Sequence, residues 1–437
     1  MLKPLHIGLI GFGTVGSATY QLLKRNQHQI QRRLGRALHI RMVADLDTEK
    51  VKAVVDADCA VVSDASQIIA SADIDVVIEL VGGYGFALDV VSKALEAGKH
   101  VVTANKALLA THGEKIFQLA RENACMVGFE SSVAGGIPII KVVREGLAAN
   151  QIQWIAGIIN GTTNFILTQM HEKSWTFAQA LEQAQALGYA EADPTFDIEG
   201  TDAAHKCSLL AAIAYGIPIP FDQAHVEGIT QLLTKDMQLA AQLGYRIKLL
   251  GIAKRTEYGV EVRVHPCLIS DRSLIANVEG AMNAVMIHSD ALGTSMYYGK
   301  GAGGEPTASA VIADLVDIAR SVTADTASRV PHLGFQEDAM ESPNILTIEE
   351  VITCNYLRIA VADQSGVLAS ITSILAEHGI SVDAMLQQPA DTTSKQTELI
   401  ILTHAAREGV MNQAIEKIEK LPTVLIPVVR IRKEDFN

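Results

Sequence analysis

The sequence predicts an α/β protein with three parts: an N-terminal domain on a parallel sheet, an α+β middle domain and a C-terminal βαββαβ module. Short β-branched runs alternate with helical patterns over about the first 130 residues, as in βαβ units. The pattern then loosens into long helices mixed with isolated strands up to about residue 304. A new strand–helix–strand order begins after a polar stretch, near residue 350.

The N-terminal domain is predicted over residues 1–134, and a return helix at about 305–322 is placed by Pro306 in its first turn. The predicted strands are 6–10, 39–44, 75–80, 100–103 and 126–129. One predicted helix begins at about Thr14, and two others cover 87–97 and 113–122. Strands alternating with helices predict a parallel sheet.

The middle domain, expected to bind substrate and to dimerise, is predicted over residues 135–304. Its predicted elements are helices 176–187, 201–214 and 230–243 and strands 152–159, 260–268 and 284–288. A polar linker is predicted over 323–350, followed by the module at 351–437. The module's predicted elements are strands 356–361, 381–386, 397–404 and 424–431 and helices 367–378 and 408–420, a ferredoxin-like order.

The bulk composition excludes several classes of protein. With 437 residues, 49% of them hydrophobic and 19% charged, the chain is globular and long enough for more than one core. A net charge of -13 argues against nucleic acid as a partner. Its five cysteines form no C-x-x-C pair, which argues for a reducing compartment. No signal peptide or membrane span is evident, so we expect a cytoplasmic protein with no membrane partner.

A G-x-G-x-x-G motif follows the first predicted strand and opens the first helix. Its residues are Gly11, Phe12, Gly13, Thr14, Val15 and Gly16. The first glycine permits a tight turn, the second lets the backbone approach a pyrophosphate, and the third lets the helix pack against the strand. The free N–H groups of a helix N-terminus also attract phosphate. This context predicts a Rossmann-like dinucleotide-binding domain rather than a glycine-rich turn without a ligand.

The choice between NAD(H) and NADP(H) stays open. Asp45 ends the second predicted strand, where an acid usually binds the ribose hydroxyls and favours NAD. NADP would favour an arginine there, and the next residue is Leu46. Arg32, Arg33 and Arg36 precede the strand and could equally be a solvated helix end.

Two lysine motifs are candidates for the proton donor that hydride transfer to an aldehyde requires. Lys106 follows a predicted strand, at the sheet edge where ligands bind. Lys206 lies one helical turn after Asp202, an i, i+4 pair that suits either a substrate with ammonium and alcohol groups or a routine surface ion pair.

Several segments together closely resemble the homoserine dehydrogenase family, over the chain to about residue 330. They are 160–165 (NGTTNF), 188–194 (GYAEADP), 197–206 and 299–307. The resemblance implies an oxidoreductase that interconverts L-aspartate 4-semialdehyde and L-homoserine in threonine, methionine and isoleucine biosynthesis. It implies Lys206 as proton donor, Lys106 at the nicotinamide and substrate, Glu191 and Asp202 on the substrate, and Gly303 on the cofactor. We also assign Asp197 and Gly188, from the same motifs, to the substrate site.

The resemblance also implies a site for a monovalent cation, Na⁺ or K⁺. It would use the side chain of Glu130 and the backbone carbonyls of Val133, Gly135 and Ile137. A hard cation prefers oxygen ligands, and a glycine-rich turn exposes carbonyls. Without the resemblance, this segment would be interpreted as a plain strand–helix loop.

The C-terminal module resembles an ACT domain at 356–361, 363–368 and 379–382. Such domains pair and bind small amino acids, which implies a homodimer or homotetramer and threonine as effector. Asp363 and Gly366, before a predicted helix, are the candidate contacts. A purely structural dimerisation module remains the alternative. The module is expected to be separable, by truncation from about Thr347.

Two rival functions fit the sequence less well. Aspartate-semialdehyde dehydrogenase also has a dinucleotide fold but needs an activated cysteine. Cys125 lies in a predicted buried strand, and Cys207, although beside Lys206, lacks the setting of an activated nucleophile. A non-catalytic amino-acid sensor would not need Asp202 and Lys206 on one helical face.

Overall fold

The computed structural model describes residues 2–389 and 396–436. The N-terminal domain contains, in chain order, β1 (Leu5–Ile10), α1 (Thr14–Leu34), β2 (Leu38–Ala44), α2 (Thr48–Lys52), β3 (Ala60–Val62), α3 (Ser66–Ala70), β4 (Val76–Glu79), α4 (Gly85–Glu96), β5 (His100–Thr103), α5 (Lys106–Glu122) and β6 (Val127–Gly128). The six strands pair in the order β3-β2-β1-β4-β5-β6, and every pair is parallel.

The order of the parallel strands reverses between β1 and β4, which creates a crevice at their carboxyl ends. β4 and β5 are buried along their whole length, because helices cover both faces of the sheet. Their apolar residues therefore form continuous runs rather than alternating ones. The crevice is where the cofactor motif of the sequence lies.

The middle domain contains α6 (Ile139–Lys141), β7 (Ile152–Ile158), α7 (Gly161–Lys173), α8 (Phe177–Ala186), α9 (Thr195–Ile198), α10 (Thr201–Tyr215), β8 (His225–Val226), α11 (Thr234–Gln242), β9 (Tyr245–Thr256), β10 (Gly259–Ser270), β11 (Met282–Ser289) and β12 (Gly293–Lys300). α12 (Gly304–Ser321) then returns to the first domain and packs against α1, where a Cβ at Gly304 would lie 3.3 Å from Thr14.

The C-terminal module contains β13 (Ile352–Ala362), α13 (Val367–Glu377), β14 (Val382–Gln387), β15 (Gln396–Thr403), β16 (Ala406–Arg407), α14 (Glu408–Glu419) and β17 (Val429–Glu434). It shares an 11-stranded sheet with the middle domain, with the path β12-β11-β7-β9-β10-β17-β13-β15-β14. β8 pairs with β10, and β16 with β13.

β17 joins the two parts, because it pairs in parallel with β10 and antiparallel with β13. Removal of the module from about Thr347 would therefore unpair one edge of β10. It would also leave the buried carboxylate of Asp236 without Arg358, which lies 2.7 Å away across the joint. The simple separability expected from the sequence is not what this shared sheet indicates.

Several elements differ from the sequence prediction, and burial explains most of the differences. α7 is buried on nearly all sides, so it has no 3.6-residue apolar period to detect. β9 and β12 were also not predicted. α5 begins at Lys106 rather than at residue 113, because Asn105 caps it and Gly113 lies inside it. Gly113 packs tightly there, since a Cβ would lie 2.6 Å from Ile219.

The stretch predicted as a linker packs back on the other domains. Phe335 covers Gly216 at the end of α10, where an added Cβ would lie 2.6 Å from the ring. Glu337 lies 2.7 Å from Arg121 of α5. Among the residues described, no helix combines the length and apolar character needed to cross a bilayer.

Candidate active site

The glycine motif forms a tight turn between β1 and α1, and its shape depends on two close approaches. Gly11 has φ +94°, and a Cβ there would lie 2.8 Å from the backbone of Leu80. A Cβ at Gly16 would lie 2.1 Å from the Gly11 carbonyl oxygen. A Cβ at Gly13, by contrast, would meet open space. Gly13 also begins α1 without a side-chain cap, so the N–H groups of Thr14 and Val15 are available to a phosphate.

Asp45 connects the end of β2 to this turn. One carboxylate oxygen accepts a hydrogen bond of 2.6 Å from Phe12 N, and the other accepts one of 2.9 Å from Asp47 N. These bonds fix the carboxylate beside the glycine turn, at the place where a ribose would lie. The neighbouring Leu46 is 92% exposed, so no basic side chain occupies that position.

Gly303 lies on the opposite side of the same turn. It precedes α12 with φ +127° and has no side-chain cap. Because Gly304 packs on Thr14, Gly303 is held close to the N-terminus of α1. Asp45 and Gly303 thus both lie next to the glycine turn at the end of β1.

Two lysines from different domains contact the same carboxylate in a cleft. Lys106 Nζ lies 3.2 Å from Asp202 Oδ1, and Lys206 Nζ lies 2.6 Å from Asp202 Oδ2. Lys106 is the first residue of α5, while Asp202 and Lys206 are one turn apart on α10. The predicted i, i+4 pair is therefore a buried contact rather than a surface ion pair.

Lys206 has hydrogen-bonding capacity left over. An ammonium group has three N–H donors. Lys206 gives one to the Ile159 carbonyl at 2.8 Å and one to Asp202. Within the described part of the chain, no protein acceptor takes the third. A buried ammonium with one spare donor can protonate an oxygen brought into the cleft.

Asn160, which the sequence analysis did not assign, organises the two acids of the site. Its Nδ2 donates to Asp197 Oδ1 at 2.7 Å and to Asp202 Oδ2 at 2.8 Å. Its Oδ1 accepts from Thr163 N and caps α7. An N-cap asparagine before Gly-Thr-Thr was a signal for the cap. The contact with both acids depends on distant chain segments, so no local signal existed for it.

The two carboxylates of the site have opposite pKa shifts. Burial alone would raise the pKa of Asp202, but Lys206, Lys106 and Asn160 hold it well below its usual value. Burial and the charge of Asp202 raise the pKa of Asp197 above its usual value. Asp202 is thus ionised between two ammonium groups, which keeps both lysines in place.

His205 follows the same helix face but is not a proton donor at neutral pH. Burial lowers its pKa to about 4, so its ring is uncharged. The ring packs against Phe221, with centroids 4.2 Å apart, and near Phe196. Phe196 also lies near Lys106, whose Nζ is 5.8 Å from the Phe196 ring centroid.

Glu191 and Gly188 lie in an exposed loop before α9 rather than in the lysine cluster. Gly188 has φ +72°, and the Glu191 carbonyl accepts from Gln185 Nε2 at 3.1 Å. The Glu191 carboxylate contacts none of the three residues Lys106, Asp202 and Lys206 within the described chain. The structure therefore brings Lys106, Asp197, Asp202 and Lys206 together but leaves Glu191 and Gly188 at the margin.

The segment predicted to hold a cation lies after β6. Glu130 is buried, and its two carboxylate oxygens each accept a 2.8 Å hydrogen bond, from Ile140 N and Lys141 N. Burial raises the pKa of Glu130 to about 7. A buried carboxylate with this penalty fits a monovalent cation beside it. The turn that carries Val133, Gly135 and Ile137 is held by a 2.9 Å hydrogen bond from Gly136 N to Lys300 O.

The regulatory candidates Asp363 and Gly366 lie in an exposed turn before α13. Gly366 has φ +92°, and its carbonyl accepts from Ser370 N at 3.0 Å. Asp363 faces solvent. The turn is therefore accessible, and it lies far along the chain from the lysine cluster.

Comparison with known proteins identifies the family. Family models match at residues 138–316 (homoserine dehydrogenase), 11–130 (homoserine dehydrogenase, NAD binding domain) and 355–423 (ACT domain). The homoserine dehydrogenase of Pseudomonas aeruginosa is 52% identical over 100% of both chains. This chain belongs to the homoserine dehydrogenase family. The Bacillus subtilis member is 37% identical over 97% of this chain and 96% of its own.

Solved structures of the family have the same fold. A homoserine dehydrogenase from Thiobacillus denitrificans matches with a TM-score of 0.95 and 52% identity over 99% of each chain. The Staphylococcus aureus enzyme matches with a TM-score of 0.76 and 30% identity, over 99% of this chain and 100% of its own. These comparisons confirm the predicted fold class, the oxidoreductase, the NAD(P)-binding domain and the ACT domain.

Proposed function

We propose that this oxidoreductase catalyses the reversible, NAD(P)-dependent reduction of L-aspartate 4-semialdehyde to L-homoserine. The observation that carries the proposal is the buried Lys206 ammonium. It donates hydrogen bonds to Ile159 and Asp202, and its third N–H is available to a ligand. It lies in the same cleft as Lys106, which follows a strand of the dinucleotide-binding sheet. The names of the relatives agree with this reaction.

The chain's own residues would handle the proton and the substrate. The nicotinamide cofactor supplies the hydride when bound. Lys206 donates a proton from Nζ to the developing alkoxide oxygen, and takes it back when homoserine is oxidised. Asp202 contacts both ammonium groups and holds the two lysines in position. Lys106 would orient the substrate, while Asp197, Glu191 and Gly188 would bind its amino-acid end.

A monovalent cation, Na⁺ or K⁺, is part of this proposal. Glu130 and the carbonyls of Val133, Gly135 and Ile137 would hold it. The cation would offset the buried charge of Glu130 and stiffen the turn between the two domains. The burial of Glu130, which is 4% exposed, supports this proposal, and the raised pKa of its carboxyl agrees with a charge that the protein compensates poorly.

An assay with purified protein tests the reaction. We expect L-homoserine to reduce the cofactor, as followed by its absorbance, and L-2-aminobutyrate, which lacks the hydroxyl, to give no signal. Equal rates with L-serine or simple alcohols would contradict a dedicated homoserine site. Absence of any turnover with homoserine and either cofactor would overturn the proposal.

Cofactor preference can be tested at the end of β2. Because the Asp45 carboxylate accepts a hydrogen bond from a ribose hydroxyl but repels a 2′-phosphate, we expect NAD to serve at least as an alternative to NADP. Leu46→Arg should shift the preference toward NADP by about tenfold, since it adds a cation at an exposed position. A strong NADP preference that Asp45→Ala does not change would contradict this role for Asp45. One archaeal relative was solved with NADPH, at 28% identity.

We further propose that threonine inhibits the enzyme through the ACT domain, within threonine, methionine and isoleucine biosynthesis, in a homodimer or homotetramer. The exposed turn at Asp363 and Gly366 precedes a helix whose free N–H groups could take a carboxylate. A threonine titration of wild type and Asp363→Ala tests this, with Glu416→Ala on α14 as control. Equal inhibition of all three would place the effector elsewhere, and no inhibition would leave a structural module.

A further inference from the structure

A charge pair joins the C-terminal module to a loop of the middle domain. Arg432, on β17, donates from Nη1 to Glu227 Oε2 at 2.8 Å. The other Glu227 oxygen lies 2.7 Å from His225 Nε2. The Arg432 side chain is 2% exposed and that of Glu227 is 38% exposed, so the pair lies at the edge of the joint. Arg432 also donates to Glu408 at 2.9 Å, within the module.

The segment that carries Glu227 is fastened to the turn between α9 and α10. Ile229 N donates to the Ile198 carbonyl at 2.8 Å. A Cβ at Gly228 would lie 2.3 Å from the same oxygen, so the two backbones touch with no side chain between them. Gly200, at φ +86°, also lies close to this segment, since its Cβ would lie 3.2 Å from Val226. Movement of 226–229 would therefore move the turn 198–200.

That turn lies between the two acids of the lysine cluster. Asp197 is the third residue of α9, and Asp202 is the second residue of α10. Asn160 holds both carboxylates, at 2.7 and 2.8 Å, so their relative position is sensitive to the turn that joins them. A continuous series of contacts thus runs from Arg432 through Glu227 and Ile198 to Asp197 and Asp202.

The charge of Glu227 is strongly maintained. Burial alone would raise its pKa, but the hydrogen bonds from His225 and Arg432 hold the pKa well below its usual value. The carboxylate is therefore ionised at neutral pH, where it attracts Arg432. The backbone N–H of Glu227 adds a 2.7 Å bond to Val264 of β10, which keeps the segment on the sheet.

We propose that Glu227, held by Arg432 of the C-terminal module, is a positioning residue for the amino-acid substrate. It sets the place of the turn 198–200 and thereby the spacing of Asp197 and Asp202. The inference rests on the proposed function, in which these acids lie at the homoserine site. It gives the C-terminal strand β17 a part in substrate binding that needs no effector.

The contacts predict which kinetic constant changes. The series ends at Asp197 and Asp202, whereas the glycine turn Gly11–Gly16 lies in the other domain and touches none of its members. Loss of the Glu227 charge should therefore weaken homoserine binding and leave cofactor binding unchanged. A general loss of folding would affect both constants together.

The test compares Glu227→Gln with a matched control in the full-length enzyme. We expect the KM for homoserine to rise about five- to tenfold, with the KM for the cofactor changed less than about twofold. Arg432→Lys keeps the buried charge and should raise the homoserine KM in the same direction by about two- to threefold. The control is Lys235→Gln, which removes another ion pair across the joint, to Glu398 at 2.7 Å, and touches no part of the turn.

Each outcome decides the inference. A rise in the homoserine KM alone, absent in Lys235→Gln, supports it. An unchanged homoserine KM, a parallel rise in both KM values, or the same rise in the control would overturn it. If Glu227→Gln does not fold, Arg432→Lys and Glu227→Asp are measured by the same criterion. A wild-type enzyme that does not oxidise homoserine would instead be a failure of the proposed function.

Discussion

Two clusters of buried charge in this protein use similar residues for different purposes. The substrate cluster consists of Lys106, Asp197, Asp202 and Lys206. The joint cluster, between the middle domain and the C-terminal module, consists of Glu227, Asp236, Arg263, Arg358, Glu408, Arg432 and Glu434. In the joint cluster arginines contact the carboxylates, as Arg358 does with Asp236 at 2.7 Å. In the substrate cluster two lysines share the Asp202 carboxylate, and one N–H donor of Lys206 is left without a protein acceptor in the described part of the chain.

A group with metal-ligand geometry lies beside the joint cluster and shares Glu434 with it. His265, Cys267 and Glu434 lie with their ligand atoms within 4.8 Å of one another. Arg263, however, donates to His265 Nε2 at 2.7 Å and also to Glu434 Oε1, so one ligand atom of each residue is already hydrogen-bonded to a cation. Burial of charge alone therefore does not mark a functional site. A hydrogen-bond donor that has no protein acceptor and faces a cleft does mark one.

The largest effect is expected at the spare donor of the substrate cluster. Lys206→Ala should lower kcat by a factor on the order of a hundred or more, because it removes the ammonium whose spare N–H is proposed to protonate the alkoxide. The Kd of the cofactor should change little. Lys420→Ala is the matched control, since it removes an i, i+4 lysine–glutamate pair on α14. Near wild-type turnover of Lys206→Ala would mean that Lys206 is not the proton donor.

The Arg358–Asp236 pair of the joint cluster should respond in stability rather than in turnover. Arg358→Met leaves the fully buried Asp236 carboxylate unpaired, which should cost about 3 kcal/mol or more of unfolding free energy. Adding Asp236→Asn removes that charge, keeps the cap that Asp236 gives to Leu233 N, and should recover at least half of the loss. Denaturant unfolding measures both. A large fall in the kcat of Arg358→Met without a loss of stability would contradict this difference between the clusters.

The smallest effect is expected at Glu130, a buried acid outside both clusters, and it concerns thermal stability. The pKa of Glu130 is raised to about 7 from 4.5, so its contribution to stability is full below about pH 4.5 and is lost as pH rises through about 7. A cation that replaces the proton should therefore raise Tm more at about pH 8 than at about pH 6, by a few degrees. Asp314, Lys141 and Arg144 also face this carboxylate.

Melting curves in K⁺ and in choline check this expectation. Glu130→Gln should remove the pH dependence of the K⁺ effect, whereas Glu122→Gln, at the exposed end of α5, should keep it. A K⁺ effect that is equal at both pH values would show that Glu130 holds no cation.

Local chemistry was enough to predict much of this protein. The G-x-G-x-x-G turn depends on residues that are neighbours in sequence, so its role can be predicted without the tertiary structure. The i, i+4 spacing of Asp202 and Lys206 likewise fixes their contact on any helix. The alternation of strands and helices predicted the parallel sheet, because each βαβ unit carries its own pattern. The spacing could not say whether the lysine pair was buried.

Tertiary structure decided what depends on residues far apart in the chain. Only folding brings Lys106 onto the carboxylate of Asp202 and places Asn160 between two acids. Only folding inserts β17 between β10 and β13, so that Arg432 reaches Glu227, 205 residues away in the chain. A periodic pattern records which face of an element is buried, but not which distant element covers it. The motifs were thus determined by the sequence, and their partners by the packing of the three parts.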